Sequence, residues 1–282
     1  MLAVQSANQK MEIKVRKVAI IAGDGDIPIQ LIDECIKQRR EYLIIVIKGH
    51  GNELLKKYNS DFDLSLSKIG KAIKFARSKD VNDVIMVGSI RRPSLINMIP
   101  DLWTAKFLTK LRSKMQGDNS ILSLLAKELE LEGFNILAPE NILPKLLCPI
   151  GNISKLKPNA KQKKDILRGF EIAKQLGKFD IGQSLVIQNG LVLAVEGAEG
   201  TDKMILRSKA LKKENNGAIF VKVIKPNQDE RVDRPVIGID TIKSIAKAGI
   251  DGIAIEGNSV FILNSNEVVK YADNKRLFIV GV

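Results

Sequence analysis

Lys17 to Ala22 is a short, β-branched apolar run that stops at a glycine. The loop Gly23-Asp24-Gly25-Asp26-Ile27-Pro28 follows, then helical spacing of apolar residues as far as Lys37, then a second apolar run from Tyr42 to Ile47. Runs too short for helices, a glycine-containing turn and a helical period between them predict strand, loop, helix, strand. The alternation continues with a helix over Leu66 to Lys79 and a third strand over Asp83 to Val87, ending at Gly88. Helices over Asp101 to Met115 and Asp118 to Glu132 come next, the second opened by Asp118 and Asn119 as caps, and then a strand over Phe134 to Leu137. Strands alternating with helices predict a parallel α/β sheet.

Pro139, Pro144, Pro149 and Pro158 then exclude a continuous helix and mark a connecting stretch. Beyond it the pattern predicts a helix over Lys161 to Leu176 with Gly177 as C-cap, and strands over Ser184 to Gln188 and Leu191 to Glu196. Asn189-Gly190 between those two runs is a strong hairpin signal. A helix over Thr201 to Ala210, strands over Ala218 to Ile224 and Gly252 to Ile255, a helix over Thr241 to Ala248 and strands near Phe261 and Phe278 complete the reading. A chain of 282 residues is long for one core, since single cores stop growing at roughly 250 to 300 residues. The expected division is a loose tail over 1–14, a Rossmann-like α/β domain over 15–140, a Pro-containing linker over 141–160 and a mixed α/β domain with a hairpin over 161–282.

Composition narrows the class. No apolar run approaches the roughly 20 residues that span a bilayer, and the N-terminal residues lack the apolar core of a secretory signal, so the expected location is cytoplasmic. Cys35 and Cys148 show no paired spacing and are expected to be reduced and structural. The net charge of +13 suits an anionic partner: nucleic acid, an anionic membrane surface or a phosphorylated substrate. Lysines are scattered, as in Lys161 to Lys164 and Lys212-Lys213, and aromatics make up 5%, which argues against a nucleic-acid partner.

Gly23 and Gly25 would let a phosphate approach backbone N–H groups, but Pro28 stands where a dinucleotide fingerprint has its third glycine. Asp24 and Asp26 add negative charge there, and Lys48-Gly49-His50 ends the second strand without an acidic ribose partner, so NAD is disfavoured. A tight turn, with or without ligand approach, remains open. Gly88 to Pro93 lies at the carboxyl end of a strand, where Arg91 and Arg92 are either phosphate ligands or surface arginines. His50 is the one histidine, which excludes multi-His metal clusters, and it is expected in a surface loop. No P-loop pattern is present. Glu196, Glu199 and Asp202 surround Gly200-Thr201, and Asp229, Glu230 and Asp233 surround Arg231, with Lys225 and Gln228 as donors nearby. Such carboxylates serve metal-assisted hydrolysis of a phosphoanhydride, and equally a helix cap with a solvated loop.

The order of these segments resembles the LpxI type of UDP-2,3-diacylglucosamine pyrophosphatase, from about Lys17 onward. The resemblance is carried by Ile21-Ala22-Gly23 to Pro28, Gly88 with Arg92-Pro93, Gly117-Asp118, Asp180-Ile181-Gly182-Gln183, Leu193 to Glu196 with Glu199 to Asp202, and Lys225-Pro226 to Gln228 with Arg231, Asp233, Pro235, Ile237-Gly238 and Thr241. Asp24 and Arg91 depart from the pattern. The resemblance implies two domains around a cleft for an acylated UDP-sugar, a requirement for Mg²⁺, and products UMP and 2,3-diacylglucosamine 1-phosphate in lipid A biosynthesis. It implies Asp233 as the catalytic carboxylate. The expected substrate-binding residues are Gly23, Asp24, Gly25, Ser89, Arg92, Asp118, Gln183, Thr201, Lys225, Gln228 and Arg231, with Thr201 offering its hydroxyl and backbone N–H to a phosphate oxygen at a helix N-terminus and Lys225 and Gln228 completing the clamp. Glu196, Glu199, Asp202 and Asp233 are the expected metal ligands. On an extended segment Arg231 and Asp233 would share one face, suiting a cation and a carboxylate on one phosphate. Transient contact with the inner-membrane surface is expected, and a homodimer is compatible with the sequence. The competing expectation is a non-catalytic nucleotide sensor.

Overall fold

The computed structural model describes residues 16–51, 55–90, 99–114 and 119–282. The expected tail over 1–14 and the site expectations at Arg91, Arg92, Gly117 and Asp118 lie outside the described residues. Five strands, β1 (Val18–Ala22), β2 (Tyr42–Ile47), β3 (Phe62–Leu64), β4 (Asp83–Val87) and β5 (Asn135–Ile136), form one sheet in the order β3-β2-β1-β4-β5. Every pairing in it is parallel. Helices α1 (Ile27–Lys37), α2 (Ile69–Ser78), α3 (Leu102–Lys114) and α4 (Asn119–Leu131) complete this half. Successive strand residues point to opposite faces, so Val18, Ile20 and Ala22 pack with Leu31 and Ile32 of α1 while Ala19 packs with Ala72 of α2 and Ala126 of α4. Burial on both faces is why these strands read as unbroken apolar runs. The strand over 83–87 is the fourth rather than the third, because Phe62-Asp63-Leu64 is an edge strand too short to show an alternation.

The second half carries a six-stranded sheet, numbered in chain order: β6 (Gly151–Asn152), β7 (Ser184–Gln188), β8 (Leu191–Val195), β9 (Ile219–Lys222), β11 (Gly252–Ile255) and β13 (Phe278–Gly281). Its order is β6-β13-β11-β9-β7-β8. The three strands β9, β11 and β13 are mutually parallel, whereas β6, β7 and β8 pair antiparallel. Between them β10 (Val236–Ile237) and β12 (Phe261–Ile262) form a separate parallel pair. The helices are α5 (Ala160–Lys178), α6 (Thr201–Ser208), α7 (Ile239–Ala248) and α8 (Ser265–Asn274). The fold is thus a Rossmann-like parallel domain followed by a mixed α/β domain, as expected.

Local chemistry explains most boundaries. Asn159 and Gln162 form a reciprocal capping box at the start of α5. Asn189 and Gly190 turn the β7–β8 hairpin at φ 52° and 78°, both left-handed, as a type I′ turn requires. Gly177 is not the cap of α5. The helix runs on to Lys178, and Gly177 is a glycine because a Cβ there would sit 3.0 Å from Pro226 Cδ and 3.3 Å from Lys225 Cα. The Lys225-Pro226 segment therefore rests directly on α5.

The halves meet. Phe261 of β12 packs among Ile20, Ile27 and Leu31, and Val232 packs against the α2/α4 side of the first sheet. Gln30 donates to Asn264 Oδ1 at 3.2 Å.

Candidate functional site

In the parallel sheet the strand order reverses between β1 and β4, and ligands of such sheets bind outside the carboxyl ends at that point. Here the two loops are laced together. Gly23 N–H donates to Val87 O at 2.9 Å, and Asp24 and Ser89 exchange two backbone hydrogen bonds, each 2.8 Å. A Cβ on Gly23 would lie 2.5 Å from Ser89 O, and one on Gly88, at φ +95°, would lie 2.8 Å from Asp24 O. Backbone against backbone is what demands glycine at both places. Gly88→Ala is expected to cost roughly 1–3 kcal/mol, combining left-handed strain with overpacking, read as a lowered denaturant midpoint at unchanged slope.

Asp24 braces the same region. Its Oδ1 accepts from Gly51 N–H at 2.7 Å, and its Oδ2 lies 3.0 Å from His50 Nδ1. The His50 side chain is only 8% exposed, so the surface position expected of it is corrected: the Asp24 carboxylate covers it. The first domain thus contributes Gly23, Asp24, Gly25 and Ser89 as one braced rim beside the switch point.

The second domain contributes a buried polar chain at the carboxyl end of β9. Lys222 is 5% exposed, and its Nζ donates to Thr201 Oγ1 at 2.9 Å. Thr201 Oγ1 donates to Glu196 Oε1 at 2.5 Å, and Ser184 Oγ donates to Glu196 Oε2 at 2.7 Å. Burial lowers the Lys222 pKa, and the negative charges of Glu196 and Asp202 oppose that shift. Beside this chain, Gln183 gives its backbone carbonyl to Val223 N–H at 2.9 Å. Its Oε1 is buried with no hydrogen-bond partner among the described residues, an unmet acceptor of the kind a water or ligand satisfies.

The segment after β9 supplies Lys225, Gln228, Arg231 and Asp233. Lys225 N–H donates to Gln228 Oε1 at 3.2 Å, and Lys225 Nζ to Asp180 Oδ1 at 2.6 Å. The extended backbone expected for 231–233 is not found. Asp229 O accepts from Val232 N–H at 3.1 Å and from Asp233 N–H at 3.0 Å, curling these residues into a turn. Arg231 folds back onto Asp229 with two guanidinium bonds of 2.9 and 2.8 Å and reaches Glu130 of α4 at 2.5 Å. The Asp229 bond, then the Glu130 bond, hold its pKa above the ordinary guanidinium value, while Arg231 holds the Asp229 carboxyl below the usual range. Alternation along a strand therefore does not relate Arg231 to Asp233.

The four expected metal carboxylates are dispersed in their commitments. Glu196 serves Thr201 and Ser184, and Glu199 pairs with Arg207 at 2.8 Å. Asp202 is exposed, and Asp233 is half-buried in its turn. Among the described residues, no group of three or more His, Cys, Asp or Glu side chains gathers as a metal cage. Cys35 and Cys148 are buried free thiols, their pKa values pushed up by burial to about 11 and about 12, which disfavours thiolate chemistry.

Lys222, Ser184, Arg234 and Glu140 escaped the sequence reading. Lys222 had a signal, since it interrupts the apolar run Ala-Ile-Phe-Val-Lys-Val-Ile at a position the strand pleat turns inward. Arg234 and Glu140 had none, because their pairing joins residues far apart in the chain.

Two family models match consecutive parts of the chain: the LpxI N-terminal domain over residues 17–146 and the LpxI C-terminal domain over 149–280. The chain is also similar to UDP-2,3-diacylglucosamine pyrophosphatase LpxI of Caulobacter vibrioides, with 32% identity over 275 residues, covering 95% of this chain and 98% of that protein.

Proposed function

Since the chain belongs to the LpxI family, we propose that it hydrolyses the pyrophosphate of UDP-2,3-diacylglucosamine to UMP and 2,3-diacylglucosamine 1-phosphate, a step of lipid A biosynthesis. The observation that carries this reading is the match of both domains, in order, to one family whose curated member bears that activity in its name.

In this reading Asp233 takes the proton of the attacking water as its oxygen bonds to phosphorus and the bridging P–O bond breaks. Lys225, Gln228 and Arg231 hold phosphoryl oxygens, Gln183 gives its unmet acceptor to a substrate donor, and the start of α6 at Thr201 offers backbone N–H groups. The braced rim of Gly23, Asp24, Gly25 and Ser89 faces the substrate from the first domain; Arg92 and Asp118, outside the described residues, are proposed as substrate-binding on the family resemblance alone. The donor set suits Mg²⁺ arriving with the pyrophosphate, because that ion keeps waters and takes one or two carboxylates alongside substrate phosphate. Asp233, Asp202, Glu196 and Glu199 are the carboxylates that would hold it, Asp202 being exposed at the start of α6. When bound, the metal would neutralise charge on the phosphoryl oxygens.

Among the described residues no helix is long and apolar enough to cross a membrane. A cytoplasmic protein with a net charge of +13 would be drawn to an anionic leaflet, where an acylated substrate partitions.

The test is UMP release from UDP-2,3-diacylglucosamine by the purified chain with Mg²⁺ and with EDTA. Release is expected with the metal and lost with the chelator. The same ion at millimolar concentration is expected to stabilise substrate-free protein by no more than about 0.4 kcal/mol, the mass-action value when concentration only equals Kd. No release from folded protein would sink the reading and leave the nucleotide sensor in its place.

A further inference from the structure

Lys222 is the one buried lysine among the described residues, and no role is assigned to it by the family resemblance. It closes the central strand β9, where the pleat puts Phe220 on the side packed by α6 and α7 and Val221 on the opposite side, against α5. Lys222 alternates with Val221 and so shares the Phe220 side, which brings its Nζ under the first residue of α6. An ammonium can only donate, so the 2.9 Å bond to Thr201 Oγ1 has a fixed direction. The single hydroxyl proton of Thr201 is thereby turned towards Glu196, whose second oxygen is held by Ser184. The chain Lys222, Thr201, Glu196, Ser184 fastens the first turn of α6 to β7, to the end of β8 and to β9.

This arrangement is costly for folding. Taking an ammonium out of water costs several kcal/mol, and replacing a buried charged group together with its counter-charge by apolar side chains of similar volume is often neutral or stabilising. An apolar set in place of the whole tie would hold the fold as well, so stability alone does not account for Lys222. Gly200, at φ 82°, precedes the helix without a side-chain cap, so no side chain of the N-cap covers the opening N–H groups of α6. The Thr201 hydroxyl is engaged on both sides within the protein and orients the helix rather than clasping the ligand directly.

We propose that Lys222 is a positioning residue of the phosphate-cleaving site, acting through the Thr201 hydroxyl to hold the start of α6 in place for the pyrophosphate. The proposal rests on the function proposed above. Glu196 and Ser184 are the remaining members of the same tie.

The experiment compares Lys222→Met, Lys222→Arg, Thr201→Val and the Lys222→Met/Thr201→Val double variant in the full chain. Lys222→Met leaves Glu196 its two hydroxyl donors and is expected to stay folded with a lowered thermal midpoint, and to lower kcat for UMP release roughly 10- to 100-fold, the range of a small misplacement of binding groups, with a smaller change in KM. Lys222→Arg is expected to restore part of kcat. The double variant is expected to fall no further than the worse single one, since both remove one tie. Amide hydrogen exchange from Met204, whose N–H bonds Gly200 O, through the first bonded turn of α6 is expected to quicken in Lys222→Met and in Thr201→Val. That readout needs no turnover, so absence of UMP release by the wild type would defeat the proposed function while exchange still decides the tie. A folded Lys222→Met protein with kcat within twofold of wild type, or multiplicative losses in the double variant, overturns the proposal. So does unchanged exchange at the start of α6. Should Lys222→Met fail to fold, the argument that stability does not explain this lysine is wrong, and the proposal falls with it.

Discussion

Replacing Asp233 with alanine is expected to lower kcat for UMP release by roughly 10²- to 10⁴-fold, the usual contribution of a positioned general base, while the protein stays folded. Retained folding follows from how the residue is held. Its backbone N–H closes the turn on Asp229 O at 3.0 Å, and the change to alanine keeps that donor. The neighbouring Arg234, not the Asp233 side chain, carries the buried ion pair with Glu140. Asp233→Asn separates two roles of the carboxylate. An amide keeps the shape and an oxygen acceptor but cannot take a proton, so as a lost base it should match the alanine variant at every Mg²⁺ concentration. If the carboxylate mainly holds the metal, higher Mg²⁺ should recover part of the Asn variant's rate. Steady-state UMP release at saturating substrate, with circular dichroism as the folding control, measures both. A kcat within tenfold of wild type in folded Asp233→Ala would remove this residue from the centre of the reaction.

Legibility from sequence tracked locality. The alternation of strands and helices, the Asn189-Gly190 hairpin and the division into a parallel and a mixed domain depend on residues close in the chain, and all are present. Elements of three residues such as β3 have no period to detect, and α8, between two short strands, is not among the elements the sequence predicts. Gly177 looked like a helix stop because the Lys225-Pro226 segment that needs it lies elsewhere in the sequence. The site divides the same way. Thr201 and Glu196 were legible as chemistry, but their bond to each other and to Lys222 depends on three strands and a helix meeting. The turn at Asp229 undid the expected common face of Arg231 and Asp233, since a side-chain and backbone capture by one aspartate outweighed any extended preference.

That turn is also where the two domains are joined, which makes Arg234 the second position of large expected effect. Its side chain is 8% exposed and that of its partner Glu140 13%, at 2.5 Å. Arg234 also donates to Ser259 O at 3.0 Å and Asn258 O at 3.2 Å, pairs with Glu230 at 2.7 Å, and stacks over Phe261 at 5.6 Å. Arg234→Ala leaves the Glu140 carboxylate in a buried place without its counter-charge, which is expected to cost about 3–5 kcal/mol in equilibrium unfolding. Glu140→Gln in the same chain removes the stranded charge, so Arg234→Met/Glu140→Gln should regain most of that stability. The activity should not follow. Arg234 anchors the residue after Asp233 to the segment leading out of the first domain, and an apolar pair cannot hold that backbone with the same direction. A double variant as stable as wild type but still slow in UMP release would assign the ion pair to alignment of Asp233 across the two domains. Full recovery of both would reduce it to a packing contact, with Phe261 and Val232 alone setting how the turn sits against the first sheet.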